Sequence, residues 1–220
     1  MKRIRWYRLK LPSSFYEFTL ALEKKKMQDA NSCGFLDVSD GWGKKLKYFY
    51  KNKLLISQID SNGEEKKTFV ETIENFILIF FEVNNQIYLR VEDPPRSLRD
   101  FMNNIELIAG FGFSATPIIF SREDQLNILG NHYSCKIIGF KGVGSKKEPK
   151  IVARIEVASK EEINIEEIDF IKDINFQTDH ISYEVDFNFS KSQITFTSSG
   201  VVKINGSLED DLLERIEKSF

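Results

Sequence analysis

The continuous apolar run of residues 76–81, FILIFF, constrains the fold of this 220-residue chain more than any other segment. A strand that is apolar without alternation is usually covered on both faces and therefore lies inside a sheet. Asn84-Asn85 follows the run and predicts a tight hairpin turn, because asparagine tolerates a positive φ. The segment IYLRVED, residues 87–93, then returns as a neighbouring strand. The run is far shorter than the roughly 20 residues that a membrane-spanning helix needs.

Several other segments show the period of two that is typical of strands with one solvated face. In GKKLKYFYKNK the residues on one face are Leu46, Tyr48 and Tyr50, and those on the other are Lys45, Lys47, Phe49, Lys51 and Lys53. The turn at residues 60–63, DSNG, separates LLISQI from TFVETI. Further strands are predicted for KRIRWYRLKL, YSCKIIGF, KIVARIEVA, ISYEVDFNF and SQITFTSSGVVKI.

Four amphipathic helices are predicted from their capping residues. Serines are expected to cap them, namely Ser13 or Ser14 for the first helix and Ser97, Ser121 and Ser207 for the others. Glu17 completes a capping box with Ser14, and Asp100 completes one with Ser97. The acidic segment 161–174 has ambiguous periodicity, and we interpret it as a short helix.

These elements predict an α+β fold in which mixed or mainly antiparallel sheets carry amphipathic helices packed on them. Two strands followed by S-L-x-D occur before residue 100 and again before residue 210, and Gln86-Ile87 recurs as Gln193-Ile194. This similarity favours two related β-β-α halves, 1–112 and 113–220, although chance similarity and one compact domain remain alternatives.

Charge is unevenly distributed along the chain, although the whole chain has a net charge of only -2. Residues 1–53 contain 13 Lys/Arg and 5 Asp/Glu. Residues 156–220 contain 6 Lys/Arg and 15 Asp/Glu. The basic N-terminal half can attract an anionic partner, or the two halves can attract each other.

The stretch GFKGVGSKK, residues 139–147, resembles a phosphate-binding loop in composition only. Gly139 and Gly144 have the right spacing, but Ser145-Lys146 reverses the order in which lysine reaches the phosphates and a hydroxyl binds magnesium. A strand, not the required helix, is expected to follow. We therefore predict a mobile basic hairpin loop without a nucleotide cofactor, whose Lys146 and Lys147 can contact a phosphate backbone.

Catalytic and metal-binding patterns are weak. His132 and His180 have no neighbouring ligands, and Cys33 and Cys135 are isolated, which predicts free thiols, no metal site and no cofactor. The E-x-K triplets that begin at Glu65 and Glu148 suggest a divergent metal-dependent nuclease only as an alternative.

A basic surface has better support. The candidate residues for binding an anionic partner are Arg3, Arg5, Arg8, Lys45, Lys47, Lys51, Lys53, Lys146 and Lys147. Most of them are interleaved with aromatic residues, which suits a nucleic acid because lysine and arginine neutralise phosphates while aromatic rings stack on bases. The alternative is that the lysines protect edge strands and the aromatic residues form the core.

The leading hypothesis is therefore a non-catalytic interaction module, a subunit or adaptor of a larger bacterial assembly, with a protein partner or a second copy of the chain. The chain is rich in Lys, Ile, Asn and Phe, which AT-rich genes encode. This composition adds the hypothesis of a role in antiviral defence. A nucleic-acid-binding protein and a nuclease are the alternatives. We expect a cytoplasmic protein, because a charged alternating segment follows the basic N-terminus where a signal peptide would have an apolar one.

Overall fold

A computed structural model describes residues 1–25, 32–39, 43–59, 61–130, 132–146, 151–164 and 175–220. These residues form four helices and the eleven strands of an antiparallel sheet. The strands are β1 (Lys2–Lys10), β2 (Cys33–Asp37), β3 (Lys44–Ile59), β4 (Glu65–Val83), β5 (Gln86–Glu92), β6 (Ser114–Pro117), β7 (Ser134–Lys146), β8 (Ile151–Ala158), β9 (Asn175–Phe187), β10 (Ser190–Thr197) and β11 (Val201–Gly206). The helices are α1 (Phe15–Lys24), α2 (Arg99–Ala109), α3 (Arg122–Leu129) and α4 (Glu209–Lys218). The predicted α+β class is confirmed, with strands dominating.

The chain divides into two compact units. The N-terminal unit is Tyr7–Thr116, and the C-terminal unit combines Met1–Trp6 with Pro117–Phe220. On β1, Ile4 and Trp6 are buried, and so are Tyr7 and Leu9. The alternation of buried and less buried residues therefore shifts by one residue between Trp6 and Tyr7, where the units divide. Each face of a strand carries every second residue, and the shift therefore assigns consecutive side chains to different cores.

The N-terminal unit contains an antiparallel meander in the order β2-β3-β4-β5. The run 76–81 lies in β4 between β3 and β5, which confirms its predicted central position. Asn84 and Asn85 have φ values of 51° and 60°, as the predicted two-residue turn requires.

Two helices cover one face of this meander. Phe18 and Leu22 of α1 and Phe101 and Ile105 of α2 are buried in the same apolar cluster. The cluster also contains Tyr48 and Phe76, whose rings both lie close to that of Phe101, with centroids 5.1 and 5.3 Å away. The apolar faces predicted for both helices therefore form the core of the unit.

The C-terminal unit orders its strands β8-β7-β9-β10-β11, and residues 2–5 of β1 pair with β11. Trp6 is fully buried and packs edge-on against Phe120 and Phe220. Its indole Nε1 donates a hydrogen bond of 2.9 Å to Glu217 Oε1 on α4. The segment SQITFTSSGVVKI, predicted as strand throughout, forms two strands separated by a turn.

The predicted helix caps divide into two groups. Ser14 and Ser121 form capping boxes with Glu17 and Asp124, as their patterns indicate. The predictions for Ser97 and Ser207 were wrong, because Leu98 and Leu208 occupy the N-cap positions and neither leucine side chain forms a cap. Ser97 Oγ does accept a hydrogen bond of 3.4 Å from Arg99 N at the start of α2. Both leucines are buried, so core packing fixes where these helices begin.

The predicted mobile loop at GFKGVGSKK was also wrong. Residues 139–146 belong to β7, which pairs with β8 on one side and with β9 on the other. A Cβ at Gly142 would lie 2.4 Å from the backbone oxygen of Gln177, so the neighbouring strand requires a glycine there. The strand predicted to follow the glycines is confirmed as β8. Lys147 and residues 165–174 of the predicted acidic helix lie outside the described residues.

Candidate interaction surface

The most unusual surface is a two-stranded ribbon that we call the arm, residues 52–59 of β3, the turn residues 61–64 and residues 65–75 of β4. Eight cross-strand pairs, from Asn52↔Thr72 to Ile59↔Glu65, continue the β3–β4 ladder beyond the rest of the meander. At about 3.3 Å per residue these pairs span about 25 Å. Gly63 has a φ of 82° in the connecting turn, in agreement with the turn predicted there.

Large apolar side chains are exposed on both faces of the arm. Leu55 pairs with Phe69 on one face, and Leu54 pairs with Val70 on the other. Ile59, Phe69 and Ile73 are 77%, 71% and 59% exposed, and Leu54, Leu55, Ile56 and Val70 are also exposed. Monomeric proteins rarely expose contiguous apolar patches of more than a few hundred Å², and larger patches mark interaction sites.

The neighbouring strands end where the arm begins. β2 pairs with β3 only from Leu46 to Tyr50, and Lys51 N then donates to Ser32 O at 2.7 Å. β5 pairs with β4 only from Ile77 to Val83. Among the described residues, no strand therefore pairs with either outer edge of the arm.

Polar side chains order the base of the arm. Tyr50 Oη donates a hydrogen bond of 2.5 Å to Glu74 Oε2, and Asn52 Nδ2 donates one of 3.3 Å to Glu74 Oε1. These bonds lower the pKa of Glu74, with that from Tyr50 having the larger effect. Burial, together with the bond to Glu74, raises the pKa of Tyr50 to about 12. The pair is therefore a carboxylate and a neutral phenol at ordinary pH, which holds the two strands in register.

The four predicted lysines of β3 do lie together. Lys45, Lys47, Lys51 and Lys53 share the face of β3 that is opposite the helices, with Phe49 between them. Lys47 Nζ lies 5.4 Å from the ring centroid of Phe49. Lys53 Nζ lies 3.4 Å from Glu71 Oε1, so part of this positive charge is already balanced.

Lys44 is excluded from this basic face by its contacts. Its ammonium group binds Glu23, with an Nζ–Oε1 distance of 2.5 Å, and Asp37. The hydrogen bond from Lys44, with smaller contributions from Ser39, lowers the pKa of Asp37 to about 2. The folded protein therefore keeps this contact from well above pH 2 up to the alkaline pH at which Lys44 loses its proton.

Three of the other predicted cations lie on β1. Arg3 and Arg5 belong to the C-terminal unit and Arg8 to the N-terminal unit. Arg8 is exposed and alternates with the buried Tyr7 and Leu9, so it lies on the face opposite the core. The side chain of Lys146 and the whole of Lys147 lie outside the described residues.

Two small adjoining pockets of the N-terminal unit are lined by the same polar residues. Cavities of about 280 and 180 Å³ share Ser32, Cys33 and Asn104. Asn104 Nδ2 donates to Tyr48 Oη at 2.9 Å and contacts Cys33 Sγ at 3.5 Å. Burial raises the pKa of the Tyr48 phenol, which stays neutral. Asn104, Tyr48 and Cys33 thus satisfy one another's polar atoms, and no ligand is needed to explain their positions.

The predicted chemical motifs are not assembled into a site in the described residues. Within them, no group of three His, Cys, Asp or Glu side chains could hold a metal ion. Cys33 and Cys135 are free and half-buried, in agreement with the predicted thiols. Glu65 lies at the tip of the arm, where it contacts Lys67, and His132 stacks on Phe187. Glu148 lies outside the described residues.

The chain matches no family of known proteins, no curated protein and no solved structure. No helix among the described residues is both long and apolar enough to cross a membrane.

Proposed function

We propose that this chain is a non-catalytic interaction subunit that binds a macromolecular partner through the arm. The observation that carries the proposal is the apolar ribbon of about 25 Å, exposed on both faces and paired along neither outer edge by the described strands. A partner that lay on this ribbon could use backbone hydrogen bonds along an edge and apolar contacts on a face.

The physical cost of leaving the arm in water supports this function. An isolated two-stranded hairpin is marginally stable, because it has little apolar surface to bury. Complete burial of one aliphatic or phenylalanine side chain contributes about 1.5–3 kcal/mol. Seven such side chains are exposed on the arm, so a partner that covers one face would recover several times that free energy.

We expect that changes to the exposed side chains of the arm alter the assembly of the chain without altering its fold. Ile59→Ser/Phe69→Ser should shift the chain from a large species to its monomer size when lysates of the source cells are fractionated by size. The matched control, Leu107→Ser/Phe111→Ser, also removes two exposed apolar side chains from the N-terminal unit and should leave the large species intact. Far-UV circular dichroism should be the same for all three proteins. If the unaltered chain already migrates as a monomer, the proposed function is wrong.

Binding of a single-stranded nucleic acid is a second candidate, and the shared lysine face favours it. Successive lysines such as Lys45 and Lys47 are two residues apart, which places them about 7 Å apart along β3. Phe49 lies between Lys47 and Lys51 on the same face and could stack on a base. We rank this function second because Lys53 contacts Glu71 and the chain has a net charge of -2.

Nucleic-acid binding predicts a steep dependence on salt. Lys45→Glu/Lys47→Glu/Lys51→Glu should abolish binding of labelled single-stranded DNA or RNA at low salt, because three phosphate contacts become repulsive. Lys10→Glu/Lys24→Glu/Lys25→Glu makes the same charge change elsewhere in the unit and should retain most of the affinity. Equal losses in the two variants would show that only net charge matters. No binding by the unaltered chain at low salt would eliminate this function.

Several finer hypotheses accompany the proposed function. We propose two related halves, because each unit contains a helix with a serine capping box and, later in the chain, an S-L-x-D helix whose N-cap is a buried leucine. The recurring Gln-Ile pair does not add support, because Gln86 lies in the last strand before its helix and Gln193 in the last but one.

A cytoplasmic bacterial assembly and a role in antiviral defence stay hypotheses from composition. The nuclease alternative stays a prediction, and no contact among the described residues favours it.

A further inference from the structure

The charge order along the outer edge of β4 indicates which partner the arm binds. We propose that a second copy of this chain occupies the arm, and that residues 65–73 of the two copies pair antiparallel about a two-fold axis at Phe69. The inference rests on the proposed function, since it names the partner of the same surface.

The outer edge of β4 can accept another strand. β5 leaves it at Ile77, and no other described strand pairs with residues 65–75 on that side. Such an edge presents a row of backbone N–H and C=O groups that pair readily with another chain. The outer edge of β3 is less suitable for self-pairing, because its charged residues Lys51 and Lys53 are both positive and natural sheets use edge lysines to prevent pairing.

The β4 sequence is complementary to itself around Phe69. Lys67 and Glu71 are each two residues from Phe69 and lie on the same face of the strand. Antiparallel pairing centred on Phe69 places Lys67 of each copy opposite Glu71 of the other, so the same attractive pair forms twice. Opposite charges that face each other across strands stabilise a sheet, and like charges destabilise it.

The present contacts of these charges leave them available. Lys67 Nζ lies 3.5 Å from Glu65 Oε2, and Lys53 Nζ lies 3.4 Å from Glu71 Oε1. All four side chains are more than half exposed, so these ion pairs contribute little in water. Lys67 and Glu71 can therefore turn towards a second copy at small cost.

The arm is slightly smaller than a standard dimer interface. A two-fold interface uses the same patch of both copies, and a standard interface involves roughly 20–30 residues a side. Residues 53–59 and 61–71 are exposed without interruption and provide 18 residues. Phe69 would lie opposite its own copy at the centre, with Leu55 beside it on the same face.

Charge reversal tests the pairing directly. In Lys67→Glu both cross-copy pairs join two carboxylates, and in Glu71→Lys both join two ammonium groups. Each variant alone should dissociate about tenfold more readily than the unaltered dimer in sedimentation velocity at low salt. An equimolar mixture should restore the dimer, because one copy of each heterodimer is then acidic at positions 67 and 71 and the other is basic at both. Changes to contacts within one chain cannot produce this rescue, since mixing leaves them as they were.

Five outcomes decide the inference. Dimerisation of the unaltered chain, weakening in each single variant and recovery in the mixture would support it. A monomer at all concentrations, a dimer insensitive to both variants, or weakening without recovery in the mixture would overturn it. A purified monomer whose large species in lysates still depends on Ile59 and Phe69 would overturn the second copy as partner while leaving the proposed function intact.

Discussion

Replacement of Trp6 by alanine is expected to lower the free energy of unfolding by about 3–5 kcal/mol, the usual loss when a large core aromatic side chain is truncated. Trp6 is fully buried, and its ring packs edge-on against Phe120 and Phe220. Truncation leaves a cavity among these rings and also removes the N–H group that donates to the buried Glu217. Urea denaturation followed by far-UV circular dichroism measures the loss.

Two further variants separate the causes of this loss. Trp6→Phe keeps a ring in the core but removes the hydrogen bond to Glu217, so its loss should be smaller, about 1–3 kcal/mol. Tyr16→Ala truncates an aromatic side chain that is 71% exposed and should change stability by about 0.5 kcal/mol or less. A loss below about 1 kcal/mol for Trp6→Ala would contradict the position of this side chain in the core.

The features that the sequence predicted correctly depend on neighbouring residues. The asparagine turn at residues 84–85 follows from backbone sterics at two positions, and the boxes at Ser14 and Ser121 need only one helical turn. The central position of residues 76–81 follows from the lack of any polar face. The caps at Ser97 and Ser207 were mispredicted because the burial of the following leucines, a tertiary effect, shifts each helix start by one residue.

The arm could not be predicted because its definition is tertiary. The sequence indicates strands at LLISQI and TFVETI, but nothing in it shows that β2 and β5 end before these segments pair. One local signal was available. Leu54, Leu55 and Ile56 are consecutive, and so are Phe69 and Val70, so apolar residues occur on both faces. The same pattern suits a fully buried strand, and only the lengths of the neighbouring strands distinguish the two cases.

The basic residues show the same division between local and tertiary information. Alternation placed Lys45, Lys47, Lys51 and Lys53 on one face, and the ladder with β4 agrees. The sequence could not show that Glu71 lies opposite Lys53, because that pairing depends on register across the DSNG turn. Register also decides whether β4 can pair with a second copy of itself. Lys67 and Glu71 face each other across the two copies only when the strands are aligned on Phe69.

Gly142→Ala is expected to lower the free energy of unfolding by about 2–4 kcal/mol, because the new methyl group has no room. Its Cβ would lie 2.4 Å from the backbone oxygen of Gln177 and 2.4 Å from the ring of Phe176. The ring could rotate away, but the backbone oxygen belongs to β9 and can move only with its strand. We therefore expect local separation of β7 from β9.

Gly139→Ala is the matched control, because it makes the same chemical change in the same strand. There the closest atom to the new Cβ would be the backbone oxygen of Val157, at 3.2 Å, which a shift of a few tenths of an ångström relieves. Both substitutions restrict the unfolded chain equally, so that contribution cancels when the two variants are compared. Gly142→Ala should be the less stable by about 1–3 kcal/mol in urea denaturation, and equal stabilities would mean that β9 does not approach Gly142 closely. Glycine at this position is thus explained by the approach of a strand, which a phosphate-binding loop would not require.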